Sequence, residues 1–153
     1  MKNQATPLTN LLALDVGTVR IGVAVARGDV RIARPLTTIA YDEATLSASV
    51  AGLVRQEDAG AVVVGWPRGM DGQSTQQTAF VEKLVETLRA SLEVPVHLQD
   101  EALTSRRAEA ELESRRKPYR KEDVDALAAT YILEDYLQAQ ADSAYAAHGG
   151  GTT

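Results

Sequence analysis

An apolar run that ends in an acid constrains this chain more than any other feature. Residues 11–20 read L-L-A-L-D-V-G-T-V-R: four apolar residues, then Asp15, then a break at Gly17. A short apolar run bounded by a turn signal is the pattern of a strand covered on both faces. A carboxylate at the end of such a strand is costly unless something neutralises it. The run therefore predicts a buried strand that delivers an acid to a site.

The segments around it define the fold class. Residues 1–10, polar and carrying Pro7, are expected to form a loose leader. Residues 11–15 suit a first strand, and Arg20–Ala26 (R-I-G-V-A-V-A), alternating and rich in valine, a second after a tight turn. Residues 30–39 suit a third strand, which Pro35 confines to an edge or a bulge. The pattern then changes period. A helix is expected from a cap at Asp42 or Thr45 to about Asp58, with Leu46, Val50, Leu53 and Val54 on one face. A short buried strand at 61–64 follows, then a loop with Gly69 and Gly72, and a helix over about 75–91. Residues 94–99 suit a fifth strand ending at Asp100 and Glu101. Helices over about 105–116 and 120–138 are divided by Pro118, and residues 139–153 read as a disordered tail. The whole predicts one α/β domain over 11–138. Its five-stranded mixed sheet joins an antiparallel meander to two parallel strands, flanked by about four helices.

Composition narrows the setting. At 153 residues one core suffices, and the absence of cysteine excludes disulfides and thiolate metal sites. No apolar run approaches the ~20 residues that span a bilayer. No secretion signal precedes Asp15, so the expected compartment is the cytoplasm, with no membrane partner. The net charge is −5, but residues 104–121 hold seven basic residues against three glutamates. An acidic protein with one basic arm can still bind phosphate locally.

If the first, fourth and fifth strands are parallel neighbours, their carboxyl ends share one edge of the sheet, where ligands of open α/β folds bind. Asp15 and the Asp100-Glu101 pair fall there. Strand alternation lets only one of that pair point as Asp15 does, and Glu101 is favoured for its reach and its more polar face. Asp125 is the third acid. On a helical projection its neighbours are Ala128, Ala129, Ile132 and Tyr136, an apolar arc that turns it toward the protein. Plainer roles exist for each: a turn cap for Asp15, helix N-terminal charges for Glu101 and Asp125. Two like charges ~4 Å apart repel by roughly 4 kcal/mol at an effective dielectric near 20, so a cluster of three calls for a cation. Oxygen-only ligands point to Mg²⁺ or Mn²⁺ rather than zinc, and to phosphodiester hydrolysis. His97, in mid-strand, reads as packed rather than catalytic, and His148 belongs to the tail. The stretch R-R-K-P-Y-R-K at 115–121 sets an aromatic among cations, which suits a phosphate backbone with an unstacked base, or else a solvated helix end. Arg68 is a further phosphate candidate.

Four motifs carry a family resemblance: L-D-V-G-T-V-R-I-G-V-A, V-V-G-W-P-R-G-M-D-G, D-E-A-L-T-S-R-R-A and K-E-D-V-D-A-L-A-A-T-Y-I-L, in series over residues 11–138. The chain resembles the YqgF, or RuvX, family of RuvC-like nucleases with a ribonuclease H-like fold. The resemblance implies a metal-dependent endonuclease that resolves Holliday junctions or matures the 5′ end of pre-16S rRNA. The family's acids fall on Asp15, Glu101 and Asp125, with Mg²⁺ or Mn²⁺ as cofactor. Substrate contacts are expected from Arg106, Arg116, Lys117 and Lys121. Paired nicks across a four-way junction would need two protomers, so a homodimer is one expectation. Ala102, where an arginine is common, and Trp66, in place of an aliphatic, depart from the family pattern. Two other classes compete: D-V-G-T also resembles the phosphate loop of actin-like ATPases, and a non-catalytic nucleic-acid-binding module would share the basic arm.

Overall fold

A computed structural model of the chain describes residues 9–67, 75–101 and 104–149; the side chains of 104–106 and 145–149 are outside that description. Arg68, Gly69, Gly72, Ala102 and the side chains of Arg106 and His148 therefore lie beyond the described residues, as do residues 1–8 of the leader and 150–153 of the tail.

The described strands are β1 (Asn10–Val16), β2 (Arg20–Ala26), β3 (Ala33–Ala40), β4 (Ala59–Pro67) and β5 (Val96–Glu101). The helices are α1 (Leu46–Gln56), α2 (Gln76–Ser91), α3 (Thr104–Ser114) and α4 (Lys121–Gly149). The strands form one sheet in the order β3-β2-β1-β4-β5. β1 pairs antiparallel with β2 and parallel with β4, and β4 pairs parallel with β5. The expected mixed five-stranded sheet holds, with β1 at its centre.

Alternation along β1 decides what reaches each face. Leu12, Leu14 and Val16 join the larger core, where Leu46 and Val50 of α1 and Val81, Leu84, Val85 and Leu88 of α2 pack. Leu11 and Ala13 face the other way, into a cluster with Ala129, Ile132 and Leu133 of α4. Asp15 is next in that second series. The α4 face is built from small residues, Ala13, Ala24, Ala26 and Ala61, so the helix lies close to the sheet. It comes closest at Gly22, the residue paired with Asp15. A Cβ there would lie 1.9 Å from the Asp125 backbone oxygen. Only glycine allows that approach.

Several boundaries differ from the sequence reading, each for a local reason. β3 begins at Ala33 rather than residue 30. The amides of Val30 and Arg31 both donate to the Arg27 carbonyl, and Arg31 takes a left-handed φ of 56°, so the chain is still turning there. Pro35 sits on the edge strand opposite a register shift at Val23 and Ala24. β5 starts after Pro95, whose carbonyl still accepts from Val62. α2 carries a capping box between Thr75 and Thr78. α4 runs to Gly149, eleven residues beyond the expected end at Gln138, which corrects the reading of residues 139–149 as disordered. Alanine dominates this extension and favours helix strongly, and Gln140 ties it to Tyr136 and Arg31.

The crowding at Gly22 yields a paired prediction. Gly22→Ala should lower stability by about 1–3 kcal/mol through overpacking. Gly52→Ala, in α1 with nothing within 4 Å of the added methyl, should raise it by about 0.5–1 kcal/mol. Urea unfolding of both variants checks this; equal midpoints would contradict the close approach of α4.

Candidate active site

Three elements bring acids to one end of the sheet. Asp15 is the second-last residue of β1, Glu101 ends β5 beside Pro67 of β4, and Asp125 lies in the first turns of α4. With Val16, Gly17, Arg20, Pro67 and Gln77, they line a single cavity of about 220 Å³. Room for the Glu101 carboxylate comes from Gly65, where a Cβ would stand 2.8 Å from Glu101 Oε2 and 2.5 Å from the Ile132 side chain. The edge of the cavity is held by Gln77, whose amide donates to the Val16 carbonyl at 3.0 Å.

The alternation of β5 separates the two candidates at its end. Val96 and Leu98 pack into the α1/α2 core. His97, on the opposite face, stacks on Tyr136 of α4 with ring centroids 5.9 Å apart, away from the acids. Glu101 follows His97 and shares a side-chain hydrogen bond with Asp15. Asp100 is exposed on the other face, paired in register with Trp66.

Electrostatics explains how like charges coexist here. Burial pushes the Asp15 carboxyl well above its ordinary range, and the charges of Glu101 and Asp125 and the hydrogen bond to Glu101 push it the same way. The Asp15 carboxyl therefore holds its proton to a higher pH than a free aspartate does, and it is hydrogen-bonded to Glu101. Asp125 is compensated differently: Arg20 Nε donates to its Oδ2 at 2.5 Å, with the two side chains about one-third and one-fifth exposed. That hydrogen bond, and then the charge of Asp125, raise the Arg20 guanidinium further. Arg20 thus supplies positive charge to Asp125. Among the described residues no three His, Asp or Glu side chains stand as a ready metal cage. The donor set itself, all carboxylate oxygen with like charges unfavourably close, is chemically suited to a hard divalent cation.

Arg20 and Gln77 are the site residues that sequence reasoning missed. A signal existed for Arg20: the tight turn pairs Asp15 with Gly22, so the residue opening the second strand must return beside the acid.

The expected substrate contacts lie elsewhere. Arg116, Lys117 and Lys121 are exposed around the α3–α4 turn and do not line the carboxylate cavity. Two neighbouring cations are already engaged: Arg115 pairs with Glu111, and Arg107 pairs with Asp135 at 3.6 Å while lying 4.4 Å from the Tyr131 ring centre. Tyr131 donates to Glu111, and burial together with that acid pushes its phenol up to about 12, so the bond persists across ordinary pH. These interactions fix α3 on α4.

Residues 9–139 match the family RuvX, described as Holliday junction resolvase. A protein of Chloroflexus aurantiacus is 42% identical over 141 residues, covering 90% of this chain and 92% of its own length. One of Chloroflexus aggregans is 44% identical over 133 residues, covering 85% and 94%. Both carry the name "Putative pre-16S rRNA nuclease". Among solved structures, Thermus thermophilus RuvC in complex with a Holliday junction substrate superposes with a TM-score of 0.57 at 17% identity, over 86% of this chain and 96% of that one. Another structure of RuvC from the same organism gives 0.52. These two establish the RuvC-like, ribonuclease H-like fold. By sequence and by architecture, the chain belongs to the RuvX family.

Proposed function

We propose that this chain is a divalent-metal-dependent endonuclease that hydrolyses phosphodiester bonds of structured nucleic acid. Its acids are Asp15, Glu101 and Asp125, and Mg²⁺ or Mn²⁺ is the cofactor. One observation carries the reading: carboxylates from three distant elements line one cavity, where the charges of Glu101 and Asp125 push the Asp15 carboxyl up. A divalent ion bound there would lower the pKa of water and neutralise charge building on the scissile phosphate. Asp15 and Glu101, already hydrogen-bonded, would hold it, with Asp125 joining once released from Arg20. The freed guanidinium is a cation lining the same cavity and suits a phosphate oxygen. Arg116, Lys117, Lys121 and Arg106 steady the flanking strand.

The substrate reading follows from relatives. Those named for pre-16S rRNA cover most of this chain, which favours the 5′ end of precursor rRNA. The family description favours a four-way DNA junction, whose paired nicks would engage two protomers. No helix among the described residues is long and apolar enough to cross a membrane. Either substrate places the working enzyme in the cytoplasm. Offering both substrates side by side, with Mg²⁺ or Mn²⁺, tests the proposal. Cleavage of neither would overturn it.

Three further outcomes are expected. Asp15→Asn and Asp125→Asn should each reduce cleavage by at least about a hundredfold while substrate binding persists, measured by single-turnover kinetics and anisotropy. The stability of Asp15→Asn should move the opposite way. An acid whose folded pKa is raised favours the fold fully below its unfolded pKa and loses that contribution as pH rises through the folded value. Metal-free wild type should therefore melt lower at pH 8 than at pH 5. Asp15→Asn should remove part of that fall, raising Tm at pH 8 by about 2–4 °C for each kcal/mol recovered. Replacing Arg116 and Lys117 by alanine should flatten the log–log salt dependence of binding by about 0.7–0.9 for each phosphate no longer neutralised. An unchanged slope would remove those residues from the interface.

A further inference from the structure

A second cavity, of about 300 Å³, opens beside the α3–α4 turn. Its floor is apolar, made by Leu112 of α3 and Leu127 of α4. Pro35 from the sheet edge and Tyr119 from the turn form rigid ring walls, and Lys117 stands at the rim. Lys117 has no ion-pair or hydrogen-bond partner among the described residues, whereas Arg115 nearby is held by Glu111. Arg116, between them, takes a left-handed φ of 55° and is exposed. Asp123 also faces the cavity, and the Arg120 amide donates to its carboxylate at 2.9 Å.

These features select an occupant. An apolar slot walled by flat rings admits a planar ring system, and the Asp123 carboxylate disfavours an anion inside. The cations lie at the rim, where they meet a phosphate. A neutral ring within and a phosphate at the mouth describe a nucleotide. Position adds a second argument: Ala126 lines this cavity while Asp125, the residue before it, lines the carboxylate cavity. The first turns of α4 are thus the partition between the two. A strand laid across those turns would run from the acids to the slot.

We propose that this pocket receives one unpaired nucleobase of the bound strand, close to the bond that is cut. Its sugar–phosphate passes over Arg116 and Lys117. The assignment rests on the nuclease function proposed above and adds to it a requirement for an unstacked base near the cleavage point. A fully paired helix meets that requirement only by flipping a base out of its stack, at the cost of its stacking and pairing.

The test uses the full-length chain in EDTA, so that binding is read without cleavage. Duplexes with a short single-stranded extension, made in RNA and in DNA, are probed by fluorescence anisotropy with one abasic site moved along the extension. One position should cost at least about fivefold in affinity, the scale of a single base stacked on an aromatic side chain. Tyr119→Leu, which keeps the apolar packing of the turn, should weaken the intact ligand similarly and make it insensitive to the abasic site. A flat abasic walk with wild-type protein in both RNA and DNA would overturn the proposal, whether or not the variant folds. Cleavage with Mn²⁺ is scored separately. Cleavage with a flat walk leaves the nuclease and removes the pocket, whereas base-sensitive binding without cleavage removes the nuclease and leaves the pocket.

Discussion

The approach of the α4 backbone to Gly22 governs the rest of this structure. Small side chains on one face of the sheet let the helix settle against β1 and β2, and the missing Cβ at Gly22 admits the Asp125 carbonyl. Because Gly22 is the register partner of Asp15, the same approach sets the distance between two acids that lie far apart in the sequence. The packing here is apolar and non-directional, yet it fixes a polar geometry. Ala128, Ala129, Ile132 and Leu133 supply burial along the helix, and the acid is carried by that burial.

What the packing imposes, electrostatics has to accommodate. The cavity places carboxylates together where desolvation alone disfavours ionisation. The response divides in two: the Asp15 carboxyl is pushed up and hydrogen-bonds Glu101, and Asp125 takes Arg20. Neither solution is permanent chemistry, since a proton exchanges and an arginine side chain rotates. Carboxylates that disfavour one another in this way have the donor chemistry that a hard divalent cation takes.

Legibility in this chain depends on the scale of the signal. β2 is legible to the residue because alternation and valine content agree over its whole length. The acid on β1 and the sheet edge it reaches follow from an apolar run and the order of strands and helices. That only one of Asp100 and Glu101 faces Asp15 follows from the period of two, and the reach and more polar face of Glu101 point to it as that one. What escapes depends on chain reversals and on partners distant in sequence. Arg20 looks like an ordinary first residue of a strand because its partner, Asp125, is 105 positions away. The start of β3 is hidden by Val30 and Ile32, apolar residues that sit exposed in a turn at 55% and 68% of their full accessibility. The length of α4 is obscured by a glycine-rich end, although the alanines before it favour helix.

The separation of Arg20 from Asp125 also has a consequence for how the molecule is made. Translation delivers β1 and β2 early, but the residue that completes the cavity arrives only with the last helix. A nascent chain still short of α4 would hold Asp15 and Glu101 but leave the Arg20 guanidinium without Asp125. A chain that stops short of that helix would therefore lack Asp125, and with it one wall of the carboxylate cavity.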